Sequence, residues 1–190
     1  AASDVYKRQG HVPALVAWCA LAGLVVHAGT LYVGLVTPGG LDLGFFNAVS
    51  LTAWVVGAVL FVACWQRPLG ALGLFVLPIG VASLLLAAYF HTERLLPPDV
   101  GVGVQTHVVT SVLAYSVLTI AAFQSLMLYL QERRLRARRP GRLTRVLPPL
   151  QLQESLLVQL IGLGFFLLSL SLVTGWAFVE DVLGQHLAHK

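Results

Sequence analysis

VGVQTHVVTSVLAYSVLTIAAFQSLMLYL, residues 102–130, runs directly into QERRLRARRPGRLTR, residues 131–145, and the junction between the two decides the fold. The first stretch carries no Asp, Glu, Lys or Arg; the second carries seven arginines and a single glutamate. At ~1.5 Å per residue, a helix over the first stretch is longer than the ~30 Å hydrocarbon core of a bilayer. The second is a basic loop of the kind retained on the cytoplasmic side of a membrane. An apolar span followed at once by its charge anchor is the signature of an integral membrane protein.

Working outward, the composition agrees. The chain has 190 residues, 57% hydrophobic and only 11% charged, with a mean hydropathy of +0.83. That leaves too little polar surface to coat a water-soluble globule, so the lipid bilayer is the first partner implied. The formal net charge of +4 does not point to nucleic acid, because seven of the twelve basic residues fall in the one loop, a pattern of topology rather than phosphate recognition. Cys19 and Cys64 stand far apart inside apolar blocks. No CxxC or CxxCH occurs, which excludes a zinc knuckle, a thioredoxin-like pair and covalent attachment of a c-type haem by that motif.

Five apolar blocks are each long enough to span: residues 13–36, 43–65, 69–90, 102–130 and 155–179. Spanning segments must satisfy their backbone internally, and these are too long for barrel strands, so they are expected as helices. The fold expected is therefore an all-α integral membrane protein. Thr37-Pro38-Gly39-Gly40, Arg67-Pro68 and Pro97-Pro98 punctuate the connections, and Pro78 falls inside the third helix, where a kink is expected. With the basic loop, residues 131–147, in the cytoplasm, Arg67 also lies inside. The loops around residues 37–42 and 91–101 then lie outside, where Asp42, Glu93 and Asp99 oppose the lone Arg94. The N-terminus is accordingly cytoplasmic. Residues 1–9, AASDVYKRQ, are polar and lack the apolar region of a signal peptide. They read as a non-native or disordered leader to a membrane domain over 10–190. The closing HLAHK follows an amphipathic run without a terminating signal, and a piece of a longer protein is expected.

Histidine is the informative residue. Setting aside His11, five remain: His27, His91, His107, His186 and His189. With the topology above, His91, His107, His186 and His189 lie near the outer ends of their helices, His27 lies about ten residues, ~15 Å, below the outer end of the first, and none lies at the cytoplasmic face. His27 belongs to a small and polar stripe on the first helix with Ala20, Gly23, Thr30 and Gly34. His107 shares one with Thr110, Ser111 and Ala114 on the fourth, and Asn47, Ser50, Trp54 and Gly57 form another on the second. Such stripes face a bundle interior. An imidazole buried there either hydrogen-bonds a neighbouring helix or serves a functional site, and two neutral imidazoles from different helices are one way to hold a haem iron axially. His91, beside Glu93 and Arg94, reads as an interfacial residue. His186 and His189, spaced i,i+3, share a helix face on which a metal is conceivable.

The remaining features carry less. Gly101-x-Gly103 follows no strand and is no dinucleotide fingerprint. The arginine loop sets topology, with anionic lipid contact as a second role. Glu180-Asp181 reads as a cap or solvated pair, and Trp18, Trp65 and Trp176 as interfacial anchors. No nucleophile with a base, paired catalytic carboxylates or P-loop is present, which excludes a conventional hydrolase. A permease would want interior carboxylates or broken helices in matching halves, and only Pro78 and scattered glycines suggest breaks.

The string Gln105-Thr106-His107-Val108-Val109-Thr110-Ser111 with Ala114-Tyr115 resembles the histidine-bearing helix of the cytochrome c assembly proteins. The fifth block, LPPLQLQESLLVQLIGLGFFLLSLSLVTG, is similar too, with the family's Gly-Phe-x-Leu-Leu run at residues 164–168 and its later glycine at Gly175. GFFNAVSLTAW at residues 44–54 and His27-Ala28 fit the branch of HemX-like and YpjD-like inner-membrane proteins. The resemblance covers roughly residues 15–190. It implies five helices of a bundle of about eight, in a bacterial inner membrane, that binds haem or moves it for attachment to apocytochromes. His107 then matches the family's outer haem-ligand histidine and His27 a first-helix histidine of that branch. The partners implied are haem, other cytochrome c assembly proteins and apocytochrome c. The sequence departs from the haem-handling members after the fifth helix, where GQHLAHK replaces a tryptophan-rich motif ending in Trp-Asp-Pro. A non-catalytic membrane scaffold or regulatory subunit with structural histidines is the alternative, and a small-molecule permease a third.

Overall fold

The computed structural model describes residues 14–66, 69–90, 92, 94–96, 101–138 and 147–188, with side chains as far as residue 177. His11, Arg67, Pro68, His91, Glu93, Pro97, Pro98, Asp99, Arg139, Arg142, Arg145 and His189 lie outside the described residues, as do the side chains of Glu180, Asp181 and His186.

Long runs of Leu, Val, Ala and Phe without charge leave helix as the only backbone that satisfies itself in lipid. Among the described residues five such helices form: α1 (Ala14–Leu35), α2 (Phe45–Gln66), α3 (Gly73–Tyr89), α4 (Val102–Arg136) and α5 (Leu150–Ala188). A 3-10 turn, Gly70–Leu72, leads into α3, and Pro78 sits inside it. All five are long and apolar enough to cross a membrane. The chain is thus an all-α integral membrane protein.

Two helices run further than their apolar stretches suggest. α4 continues to Arg136, so the start of the expected basic loop is helix; Arg133, Arg134 and Arg136 in its last turn oppose the negative end of the helix dipole. α5 begins at Leu150 rather than near residue 155. Its first turn is built on Pro149, whose carbonyl accepts from the N–H groups of Leu152 (3.1 Å) and Gln153 (3.2 Å). Proline suits a helix start because its fixed φ is already helical and it has no N–H to leave unpaired.

The connections at the end opposite these arginines are also more ordered than plain loops. Strands β1 (Val36–Thr37), β2 (Gly40–Asp42) and β3 (Leu95–Leu96) form a small antiparallel sheet in the order β1-β2-β3. Thr37 faces Gly40, and Asp42 faces Leu95. Gly40 takes φ 124°, a conformation open to glycine. The Asp42 carboxylate holds the assembly together. Its Oδ1 accepts from the N–H groups of Gly44 (2.9 Å) and Arg94 (2.8 Å), and its Oδ2 from the Asn47 amide (3.2 Å).

Packing divides along the bundle. Toward the arginine-bearing end the core is dry: Val56, Leu60, Leu69, Leu72, Val76, Ile120, Met127 and Leu156 bury together, and Phe75 stacks on Phe123 at 5.6 Å between centroids. The broadest interface joins α4 to α5. At its basic end three glutamines close it, Gln124, Gln131 and Gln153, each almost wholly buried. Gln124 donates to Gln153 Oε1 (3.3 Å), Gln153 donates to Gln131 Oε1 and to the Pro148 carbonyl (2.9 Å), and Gln131 also donates to Pro148 (3.2 Å). α1 packs chiefly on α2; among its described residues only Leu31 is buried.

A satisfied buried network is asymmetric to mutation: losing one member strands its partners, whereas replacing all of them by apolar groups leaves nothing unpaired. Gln153→Leu alone is expected to cost about 1–3 kcal/mol, read as a lower melting temperature in detergent. The triple change Gln124→Leu, Gln131→Leu and Gln153→Leu is expected to cost less than the single one.

Candidate functional site

The two candidate imidazoles sit in the half of the bundle nearest the sheet. His107 lies five residues into α4, roughly 8 Å along its axis. His27 lies eight residues before the end of α1, roughly 12 Å from it. They are held on different helix pairs, His27 between α1 and α2 and His107 between α4 and α5.

At His27, Nε2 meets the Ser50 hydroxyl at 3.0 Å, and Ser50 is fully buried. Neighbouring bonds tie the same two helices. Trp54 Nε1 donates to the Leu24 carbonyl at 2.9 Å, and Asn47 donates to the Gly34 carbonyl at 3.3 Å. The polar stripe of α2 therefore does face α1. On α1 the stripe is used only in part, since a Cβ on Gly34 would meet Asn47 at 3.6 Å while one on Gly23 would meet nothing within 4 Å.

At His107, Nδ1 lies 2.8 Å from the backbone carbonyl of Ser171 on α5. A carbonyl only accepts, so Nδ1 carries a proton, and in the neutral ring the lone pair is then on Nε2. That carbonyl also accepts from Thr174 Oγ1 at 2.9 Å. It is open to α4 because Gly175, four residues on, has no side chain to cover it. The hydroxyls around it follow a fixed order. Ser111 Oγ lies 2.7 Å from the His107 carbonyl and donates there, so the 2.6 Å contact between Ser111 and Ser171 takes its proton from Ser171. Thr110 Oγ1 donates to the carbonyls of Thr106 (2.8 Å) and His107 (3.1 Å).

The Nδ1–Cε1 edge of the imidazole lies against Gly175. A Cβ there would stand 2.8 Å from Cε1 and 2.9 Å from Nδ1 of His107. One on Gly164, three turns earlier on α5, would stand 2.5 Å from Leu118 Cδ2. At both glycines singled out in the sequence, a side chain of α4 occupies the space that a Cβ on α5 would need.

This arrangement fits an axial haem ligand at His107. A ligating imidazole normally donates its other N–H to a carbonyl or carboxylate, which fixes ring and tautomer, and Ser171 accepts in that manner. Nε2 has no protein partner among the described residues. The fit is poorer at His27, where ligation through Nε2 would leave the buried Ser50 hydroxyl without its partner, at about 1–3 kcal/mol. Among the described residues no three of His, Cys, Asp and Glu gather as a metal would need. Ser171 as the orienting carbonyl, and Gln124, Gln131 and Gln153 as a second polar cluster, do not follow from the histidine pattern. A polar residue within an apolar run was the available signal in each case.

Comparison with known proteins follows the same lines. The family model described as cytochrome C assembly protein matches residues 15–190. The inner membrane protein YpjD of Escherichia coli is 25% identical over 177 residues, covering 90% of this chain and 65% of YpjD. A 28.8 kDa protein of Azospirillum brasilense is 42% identical over 77 residues, 40% of this chain and 28% of that protein. The chain therefore spans less than two thirds of these curated relatives. No solved structure matches. Together with five spans, the likeness to an inner membrane protein puts the chain in the bacterial inner membrane as a multi-pass protein.

Gly175→Ala is expected to push the His107 ring off the Ser171 carbonyl and lower stability by about 1–3 kcal/mol. In a His107→Ala background the same change should cost much less. A thermal double-mutant cycle in detergent measures the difference; additive effects would mean that ring and glycine are not coupled.

Proposed function

The chain belongs to the cytochrome c assembly protein family, and on that premise we propose that it acts in cytochrome c biogenesis by holding haem at the outer side of its helix bundle, with His107 as an axial ligand. The observation that carries the proposal is the His107 ring, with its Nδ1 proton committed to the Ser171 carbonyl and its Nε2 lone pair uncommitted. Haem, when bound, supplies an iron whose axial positions accept a neutral imidazole nitrogen.

The residues of this chain prepare that ligand. The Ser171 carbonyl keeps the proton on Nδ1 and sets the ring plane. Gly175 leaves room for the ring to lie against α5. Ser111 and Thr110 satisfy the His107 carbonyl, so the backbone on which the ring is mounted has no polar group left to seek water. The outer placement rests on the charge rule: Arg133, Arg134 and Arg136 close the opposite end of the helix that begins beside His107. On this reading the remaining partners are other cytochrome c assembly proteins and an apocytochrome c. The bundle of about eight helices that the family implies would provide the rest of the haem surface.

His27 would be the second residue to hold haem, and ligation through its Nε2 would require it to give up Ser50. Its bond to Ser50 is also what favours a second function, a non-catalytic membrane scaffold in which both histidines only join helices.

Visible absorption of the detergent-purified protein after haem reconstitution separates the two. A Soret band and reduced α-band are expected for the wild type, lost in His107→Ala and retained with altered position or intensity in His27→Ala. Haem uptake no greater than that of a control membrane protein sinks the haem proposal and leaves the scaffold.

A further inference from the structure

We propose that Arg133, Arg134 and Arg138 at the end of α4 form a contact surface for anionic phospholipid headgroups of the leaflet on that side. The inference stands on other residues than the haem site and does not depend on it.

Depth comes first. Met127 packs with Leu69 and Leu72, where α3 enters the bundle, so that level belongs to the dry core. Arg133 lies six residues beyond Met127, about 9 Å further along the axis at ~1.5 Å per residue. Headgroup layers add roughly 5–7 Å to each side of the hydrocarbon core. With Met127 at the edge of the hydrocarbon, the guanidinium groups of Arg133 and Arg134, on flexible stems that reach several ångström either way, come within reach of the phosphate layer, and Arg138 follows at the turn just beyond them. Leu135 between them is 42% exposed, an apolar contact suited to the acyl boundary beside the phosphates.

Charge comes next. Residues 133–138 are exposed throughout. Glu132 is the acid adjoining them, and it is bound to Arg136, which reaches it with Nε at 3.0 Å and Nη2 at 2.5 Å. Arg133, Arg134 and Arg138 have no ion pair among the described residues. Three guanidinium groups without an ion pair among the described residues, each with a planar fork of donors, match phosphodiester oxygens.

The surface is also held in place. Gln131, one turn before, is buried and bonded to Gln153 and to the Pro148 carbonyl. The last turn of α4 is thereby fixed to α5 instead of fraying. Beyond it Ala137 N–H donates to the Arg133 carbonyl (3.1 Å) and Arg138 N–H to the Leu135 carbonyl (3.0 Å). Arg138 then takes φ 51°, which turns the chain at the helix end. Pinned cations within reach of the phosphate layer, beside an exposed leucine, favour a lipid surface over a soluble acidic partner, which would have to compete with the bilayer for the same layer.

The test uses the protein in phosphatidylcholine vesicles containing a minority of phosphatidylglycerol, with spin-labelled versions of each lipid reporting the motionally restricted fraction at the protein surface. The wild type is expected to retain phosphatidylglycerol over phosphatidylcholine, less so as salt rises. The triple variant Arg133→Gln, Arg134→Gln, Arg138→Gln should reduce that preference several-fold, and Arg136→Gln should change it far less. Arg134→Glu alone, at an exposed position, should lower the preference without lowering the melting temperature. Equal retention of both lipids by the wild type overturns the proposal, and so does a preference that survives the triple change in a protein with unchanged melting. Inverted insertion of the triple variant in cells, with no lipid preference in vesicles, would reduce the cluster to a topology signal and overturn it as well.

Discussion

The seam between α4 and α5 is the constraint on which the rest of the bundle depends. Apolar side chains gain little by leaving lipid for one another, so helix association in a bilayer needs close backbone approach and polar contacts across the seam. This seam has both. Gly164 and Gly175 admit the Leu118 and His107 side chains of α4 against α5, while His107 with Ser171 closes one end and the three glutamines close the other. The two ends differ in chemistry. The glutamine end uses its polar atoms on itself and on Pro148. The histidine end leaves one ring nitrogen with its lone pair exposed to whatever lies alongside.

That asymmetry separates fold from site. Removing a glutamine disturbs the packing of the seam and of the α4 end that it pins, because every partner is internal to the bundle. His107 has a structural half, Nδ1 on the Ser171 carbonyl, and a free half, Nε2. His27 shows the contrasting case, with its Nε2 already engaged by Ser50. Two histidines in equivalent-looking polar stripes therefore have different chemical standing, and the difference lies in which nitrogen the neighbouring helix occupies. Mutations at Ser171 or Gly175 act on the free half only through the structural half, as positioning changes.

The five helices were legible in the sequence because each is an uninterrupted apolar block, and the orientation argument needs only the arginines after Leu130. Their ends were less legible. Gln131 falls in the expected basic loop and Gln153 ahead of the expected fifth span, yet both are buried inside helices because they satisfy one another. The sheet was invisible for a different reason: its strands have two or three residues, too few for any period-2 pattern to register. His107 and His27 were identifiable as polar residues on stripes, and so was the glycine that admits His107 to the seam. What hydropathy and spacing cannot supply is the pairing across helices. That Ser171 rather than another residue meets His107 depends on the rotation and register of α5 against α4, which no local pattern encodes.

The sheet has a consequence for the order of biosynthesis. Its centre, β2, follows the first helix, whereas the Arg94 backbone that caps Asp42 is 52 residues later in the chain. While a ribosome feeds the chain into the membrane, β1 and β2 emerge with the Asp42 carboxylate only partly engaged, by Gly44 and Asn47 close by. The third strand arrives only after α2 and α3 have both crossed. Closure of the sheet therefore reports that a complete helical hairpin has been threaded in the correct direction. A chain with α2 or α3 left out of the membrane would present β3 on the wrong side and leave β2 an open edge.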